Sequence, residues 1–389
     1  MKYIQDDGLV IKSWCENPEE GAIIQAKNLA QLPFAFKQIC LMPDVHQGYG
    51  MPVGGVMATK NYVVPNAVGV DVGCGIIAVK TSLISIEIES LKTILGEIRK
   101  IIPTGFNKHN QAQNDNLMPY KTAIGFVINK EYSNACKSIG TLGGGNHFLE
   151  IQKDEKGFIW IMIHSGSRNL GKKVADYYNK IAIEINEKYF SKVPKEWELA
   201  FLPIDSEEGQ SYLIEMNYCI DFAFANRKLM MDRILDIFID VLHLEGITLW
   251  HDPMINAVHN YVRMENHFDQ NVMVHRKGAI SAKEDEIGII PGSQGTSSYI
   301  VKGLGDLESF KSCSHGAGRT MGRKQAIKCL NLTEEIKKLN DKGIIHSVRN
   351  EQDLDEAPGS YKNIETVMAE QNDLVEIIHK LEPLAVVKG

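Results

Sequence analysis

The sequence predicts a mixed α/β (α+β) protein, with helices and strands interleaved along a single domain that spans residues 1–389. Three observations carry that expectation. Leu91, Ile94, Leu95 and Ile98 recur at helical spacing. Phe158-Ile159-Trp160-Ile161-Met162-Ile163 is a short, continuous apolar run suited to a buried strand. Residues 211–243 keep an apolar-rich helical pattern far too long for a strand. The chain has 389 residues, 44% of them hydrophobic, enough for a large core. No Pro- or Ser-rich linker divides it, so one domain, or two tightly merged halves, is expected.

Lys and Arg number 42 against 49 Asp and Glu, a net charge of -7. That balance argues against a protein that coats nucleic acid non-specifically, while leaving room for a local basic groove. The opening Met1-Lys2-Tyr3-Ile4-Gln5-Asp6-Asp7 lacks the basic-then-apolar pattern of a signal peptide. The Phe158–Ile163 run is too short to cross a bilayer. A soluble, cytoplasmic protein with no membrane partner is expected. The seven cysteines are scattered and odd in number, which suits reduced thiols better than a disulfide framework.

In order along the chain, residues 1–40 read as short strands and polar turns. Leu41 to Gly55 is too rich in Pro and Gly for a helix. Within it Asp44 and His46 alternate, so on an extended chain they face the same way and can orient a ligand, or else satisfy their own turn. Asp71 and Cys74 put a carboxylate and a thiol three residues apart, with Gly69, Gly73 and Gly75 letting the backbone turn tightly around them. Such a pair binds metal, the thiol as thiolate. Residues 90–102 read as a helix, capped by Ser90 and ended by Pro103. Residues 104–120 read as a mobile polar loop with His109 in solvent.

Gly143-Gly144-Gly145-Asn146-His147 can bring backbone N–H groups close to phosphate. The Phe158–Ile163 strand then delivers His164 into a Gly/Ser turn, with Arg168 near enough to pair with a phosphate. Val174, Tyr177, Tyr178, Ile181 and Ile185 form one helix face. His259-Asn260 echoes Asn146-His147, whereas His243, His251 and His267 lack glycine-rich neighbours and read as background. A short strand from Val272 ends in Arg276-Lys277-Gly278. Pro291 to Ser298 is a Gly/Ser loop suited to phosphate or ribose. His315 sits among small residues, with Arg319 four positions on. The amphipathic stretch Val367–Leu381 and the final Val386-Val387-Lys388 suggest a docked tail.

Asp71, Cys74, His147, His164 and His259 exceed the four ligands of a structural zinc site and suit two metals sharing a bridge. Two dications ~4 Å apart repel by about 16 kcal/mol at an effective dielectric of about 20. An anionic bridge is therefore required, and the Cys74 thiolate is the best candidate. Two-metal sites of this spacing serve phosphoryl chemistry. His315 could then act as ligand, base or nucleophile, with Arg319 and glycine N–H groups offsetting charge at phosphorus. The same ligands would also serve a two-metal phosphodiesterase or nuclease, which needs no covalent histidine, and the unbroken Ser314-His315-Gly316-Ala317-Gly318-Arg319 argues against it. Arg168, Arg276, Lys277 and Arg319 are expected to line a local basic groove despite the acidic total.

The stretches Met42–Pro52, Gly69–Gly75, Gly145–Glu150, His164–Arg168, His259–Val262, Arg276–Ala279, Pro291–Gly295, Ser314–Arg319, Asp355–Pro358 and Val386–Gly389 together resemble the RtcB family of GTP-dependent RNA-splicing ligases. The resemblance implies a mixed α/β domain with a central metal-binding cleft. It implies one Mn(II) on Asp71, Cys74 and His147, and a second on Cys74, His164 and His259. Manganese comes from the resemblance alone, since the ligand types by themselves favour zinc. It implies GTP as cosubstrate and a GMP adduct on His315. Asn146, His147, Phe148, Leu149, Glu150, His259, Asn260, Pro291, Gly292, Ser293, Gln294, Ser298, His315, Gly316, Ala317, Gly318 and Lys388 would surround the guanylate. The implied reaction joins RNA 3′-phosphate or 2′,3′-cyclic phosphate ends to 5′-hydroxyl ends, in tRNA splicing or RNA repair, with an archease-type activator as a family partner. Gln294 stands where the family usually has Met, and Phe106 to Asn116 departs from the family pattern.

Overall fold

A computed structural model describes residues 1–4, 7–120, 125–244, 249–250 and 252–389; His251 lies outside them. Two large sheets organise the chain. The first holds six strands in the spatial order Lys2–Ile4, Val10–Ser13, Ala35–His46, Val53–Thr59, Gln270–Lys277 and Asn260–His267. Its one parallel pairing, Val10–Ser13 with Ala35–His46, is bridged by the helix Glu20–Ala30. The expectation of strands and turns alone over residues 1–40 missed that helix. Its buried face is Ala22, Ala26, Leu29 and Ala30, mostly small residues that leave a faint apolar stripe.

The second sheet holds seven antiparallel strands in the order Ile255–Val258, Gly75–Lys80, Ile159–Ser165, Phe148–Asp154, Val375–Lys388, Ser298–Gly303 and Ile287–Ile290. Alternation sets its two faces. Ile77 and Val79 point to one side, against Leu91, Ile94, Leu95 and Ile98 of the helix Ile88–Ile101 and against Met231 and Ile234 of the helix Glu207–Val241. Ile76 and Ala78 point to the other, with Leu339 of the helix Leu332–Asp341. Each fully buried Leu or Ile on such a face contributes about 1.5–3 kcal/mol. No helix among the described residues is long and apolar enough to cross a membrane.

Several boundaries move. Ser90 lies inside the helix Ile88–Ile101, where the cap position is Glu87 with no side-chain cap, so Ser90 does not start it. The strand Ile159–Ser165 runs on to include His164. The tail is an interior strand, Val375–Lys388, between Phe148–Asp154 and Ser298–Gly303. The stretch 104–120 is not a free loop. Its backbone is hydrogen-bonded to Gly143, Lys137 and Cys136, and His109 is half-buried beside the Arg233 guanidinium at 3.3 Å.

Arg276 overturns its sequence-based expectation. It is fully buried, and all its N–H donors are used within the protein. Nη1 and Nη2 hold Glu265 at 2.5 and 3.1 Å, while Tyr261, Ser312 and the Phe310 carbonyl take the rest. A strand residue ahead of a glycine can face either way, and the Glu265 partner on the neighbouring strand draws this one inward. Arg276 braces the fold and cannot face RNA. The guanidinium holds the Glu265 carboxyl well below its ordinary range against the upward push of burial, so this stabilisation is present above the unfolded carboxyl pKa and lost only as pH falls below it. Glu265→Gln should lower the unfolding free energy by about 3–5 kcal/mol, because it strands a buried cation. Urea titration at neutral pH checks this, and a loss under about 1 kcal/mol would show that the pair does not brace the sheet.

Candidate active site

The ligand-type residues meet because the second sheet is antiparallel in a particular register. Gly75 pairs with Ser165 and with Val258, and Phe148 pairs with both His164 and Lys388. One end of five neighbouring strands therefore carries Cys74, His164, His147, His259 and Lys388. His259 is also where the chain leaves Ile255–Val258 in one sheet and enters Asn260–His267 in the other. Two backbone bonds pin that crossing: His259 N–H to Cys74 O at 2.9 Å, and Gly73 N–H to Asn260 O at 3.0 Å. The Asn260 amide adds bonds to Asp71 O and from Gly278 N–H.

The side-chain atoms converge closely. His147 Nε2 lies 3.2 Å from Asp71 Oδ2 and 3.3 Å from Cys74 Sγ. His164 Nε2 lies 3.3 Å from the same sulfur and 3.0 Å from His259 Nε2. His164 Nδ1 donates to the Asn146 carbonyl, so its Nε2 offers a lone pair. Burial, then the neighbouring imidazoles, keep His164 and His259 well below the ordinary histidine range. Burial, then Asp71, push the Cys74 thiol well above its own. His147 Nε2 and His259 Nε2 can donate to Asp71 and His164 in this state, or turn their lone pairs to a cation placed among them. Cys74, His147 and His164 could hold a metal ion on distance alone, and Asp71 and His259 touch that group.

His315 follows the strand Ser312–Ser314. Asp44, fully buried in the strand Ala35–His46, receives His315 Nδ1–H at 2.6 Å and the backbone N–H groups of His315 and Gly316 at 3.0 and 3.2 Å. Burial pushes the Asp44 carboxyl up, yet His315 and the nearby cations bring it below its ordinary value. It therefore stays ionised, fixes the imidazole tautomer and leaves Nε2 free. The His315 ring stands 4.7 Å from the His259 ring. Only glycine fits at 318, where φ is +71° and a Cβ would lie 2.2 Å from Asp44 O.

Asp71, Cys74, His164, His259 and His315 line a cleft of about 1070 Å³. One end is formed by Phe148, Glu150, Pro291 to Gln294 and Lys388, the other by Gln47 to Tyr49, Asn66, Gly69 and Val70. Burial raises Glu150 to about 8, so it carries a proton at neutral pH. Gln294 is buried in that end, its amide donating to Glu356 O at 2.9 Å. Ser298 is buried behind the floor, bonded to Gln152 and Gly292. Lys277 and Arg319 reach the cleft, but Lys277 Nζ is held by the Tyr49 and Asn66 carbonyls. Arg168 lies behind the glycine turn, on Thr141 and Gly105 O. Sequence reasoning left Asp44 undecided and passed over Arg323, Tyr361 and Glu356, which cluster at the mouth. It also passed over Arg227, buried mid-helix on Gly73 O and Ser165 O.

Cys74→Ala should weaken divalent-metal binding at least about tenfold, since it removes the atom both imidazoles face. Equilibrium dialysis of the metal-stripped protein against Mn(II) or Zn(II) measures it. Undiminished uptake would mean the sulfur is only packed there.

The comparisons with known proteins agree with this geometry. The family model described as tRNA-splicing ligase RtcB matches residues 25–129 and 120–389. RNA-splicing ligase RtcB of Escherichia coli (strain K12) is 37% identical over 409 residues, covering 97% of each chain. tRNA-splicing ligase RtcB of Nanoarchaeum equitans is 33% identical, covering 95% of this chain and 92% of its own. That of Thermococcus kodakarensis is 30% identical, covering 99% and 93%. With likeness over nearly the whole length, the chain belongs to the RtcB family.

Proposed function

We propose that this protein is an RNA ligase that joins RNA 3′-phosphate or 2′,3′-cyclic phosphate ends to 5′-hydroxyl ends, using GTP through a GMP adduct on His315. The observation that carries the reading is the Asp44–His315 pair, an imidazole held with one nitrogen free beside a cluster of metal-type donors. Asp71, Cys74 and His147 would hold one Mn(II), and Cys74, His164 and His259 the other. Bound there, the ions would supply positive charge to phosphate oxygens.

The chain's own residues divide the work. Asp44 accepts the Nδ1 proton, so His315 Nε2 attacks the α-phosphorus of GTP as pyrophosphate leaves. Phe148, Glu150, Asn260, Pro291 to Ser293, Gly316 to Gly318 and Lys388 surround the guanylate. Asn146 and Gln294 complete that wall, while Leu149 packs into the core behind it. A cyclic phosphate first opens with water to a 3′-phosphate. A 3′-phosphate oxygen then displaces His315 from phosphorus, and the 5′-hydroxyl expels GMP as the strand is sealed. Residues 1–389 would act as one catalytic domain, in the cytoplasm, with tRNA halves or other cleaved RNA as substrate and an archease-type protein as activator. Arg319 and Lys277 would meet RNA within the cleft.

Incubation with α-labelled GTP and Mn(II) should give an acid-labile, base-stable label that His315→Ala abolishes. A two-metal nuclease or a non-catalytic binder would give none. Asp44→Asn should slow labelling by about a thousandfold or more, because the imidazole loses its tautomer; labelling at the wild-type rate would remove Asp44 from the mechanism.

The guanine N1–H and amino group need an ionised acceptor, and Glu150 must lose its proton to serve. GTP affinity should therefore rise about tenfold per pH unit from about 6 to about 8 and then level off. In Glu150→Gln the profile should be weak and flat. A wild-type profile equally flat over this range would exclude Glu150 as the guanine acceptor.

A further inference from the structure

The loop after the helix Ile88–Ile101 is fastened to the glycine turn of the site. Gly105 N–H donates to Gly143 O at 2.9 Å, Leu142 N–H donates to Pro103 O at 2.9 Å, and Arg168 Nη2 donates to Gly105 O at 2.8 Å. Further on, His109 N–H holds Lys137 O and Gln113 N–H holds Cys136 O, each at 2.9 Å. Between these anchors stands Phe106, 103% exposed. A phenyl ring in water forgoes the burial that aromatic side chains normally bring to a fold. No packing within the protein requires a fixed backbone to present it.

Its surroundings indicate what it meets. Asn107, Lys108, Asn110 and Gln111 are all exposed, so the ring is isolated among polar side chains. A docked protein would want a wider apolar patch around such an anchor. Cations flank the turn instead. Arg168 lies beneath it, and a Cβ on Gly145 would come within 2.5 Å of Arg323 Nη2. Asn146 and His147 follow directly in the chain. An isolated aromatic ring on an anchored turn, with Lys108 exposed two residues on and the Arg323 guanidinium at the neighbouring glycine turn, takes a nucleobase by stacking, whatever its identity, and the adjoining backbone by charge.

We propose that Phe106 is a stacking platform for a nucleobase of single-stranded RNA next to the end that reacts at His315. The proposal rests on the ligase reading, but the platform can fail without it. The test uses the full chain, Phe106→Ala and Phe106→Trp, with short RNA oligonucleotides carrying 2-aminopurine near a 3′-phosphate or a 5′-hydroxyl. The wild type should quench the 2-aminopurine of one of the two ends. Phe106→Ala should lose that quenching and bind the same oligonucleotide about tenfold more weakly, with an unchanged melting temperature. Phe106→Trp should restore both. Wild-type quenching and affinity in Phe106→Ala would overturn the platform, including the outcome in which this surface serves a protein partner. GMP labelling of the wild-type chain, run in parallel, separates that failure from failure of the ligase reading itself.

Discussion

The crossing at His259 is the constraint on which the site depends. The two sheets meet directly at this short passage of backbone, held by Cys74 O on one side and by the Gly73–Asn260 bond on the other. A one-residue slip in an antiparallel pair turns every side chain to the opposite face. The slip is opposed by apolar residues on both faces of Gly75–Lys80. Core packing thus fixes the register, and the register fixes which atoms stand at the sheet's end. The donor cluster is a consequence of burial elsewhere, which is why it can be dense and strained in charge without unfolding the loops that carry it.

The cluster is electrostatically incomplete. Imidazoles, a thiol and a carboxylate bring ligand-type atoms together around one point, while the buried Arg227 bonds the backbone carbonyls beneath it. That guanidinium orients the two turns carrying Cys74 and His164 but sits behind them. A cation on the open side would draw these atoms together and would let the buried thiol ionise. Asp44 answers a different need. It is ionised, buried and spent on one imidazole and two backbone N–H groups, an arrangement that holds a reactive ring still.

How far this was readable from sequence depends on the residue. Asp71, Cys74, His147, His164 and His259 were legible because each sits beside a glycine or at the end of an apolar run, the local mark of a strand end opening into a turn. His315 was legible for the same reason. The helices at 88–101 and 207–241 followed from strong periodicity. Arg276 misled, because its burial depends on Glu265 across a strand pair, and local sequence carries no record of cross-strand partners. The stretch 104–120 misled in the same way, since polar composition resembles a free loop and its anchors lie on distant segments. The helix Glu20–Ala30 was missed because alanines carry little hydrophobic contrast.

The mouth of the cleft explains how an acidic chain can present a positive opening. Glu356 is buried and shared. Arg319 reaches it at 3.1 Å, Arg323 at 3.0 Å and Lys388 at 3.6 Å, and the Tyr361 hydroxyl donates to it as well. Three cations face two carboxylates, Glu356 and Asp355, which Arg323 also reaches at 4.0 Å, and leave an excess of one positive charge, even though the whole molecule carries -7. The carboxylate holds the cations in fixed positions, so a polyanion arriving at the cleft meets charges already oriented and loses less to ordering them. The surplus is local, and its field falls off over about 8 Å at physiological salt. A field of that range acts weakly on a distant polyanion and mainly on a charged group that enters the cleft.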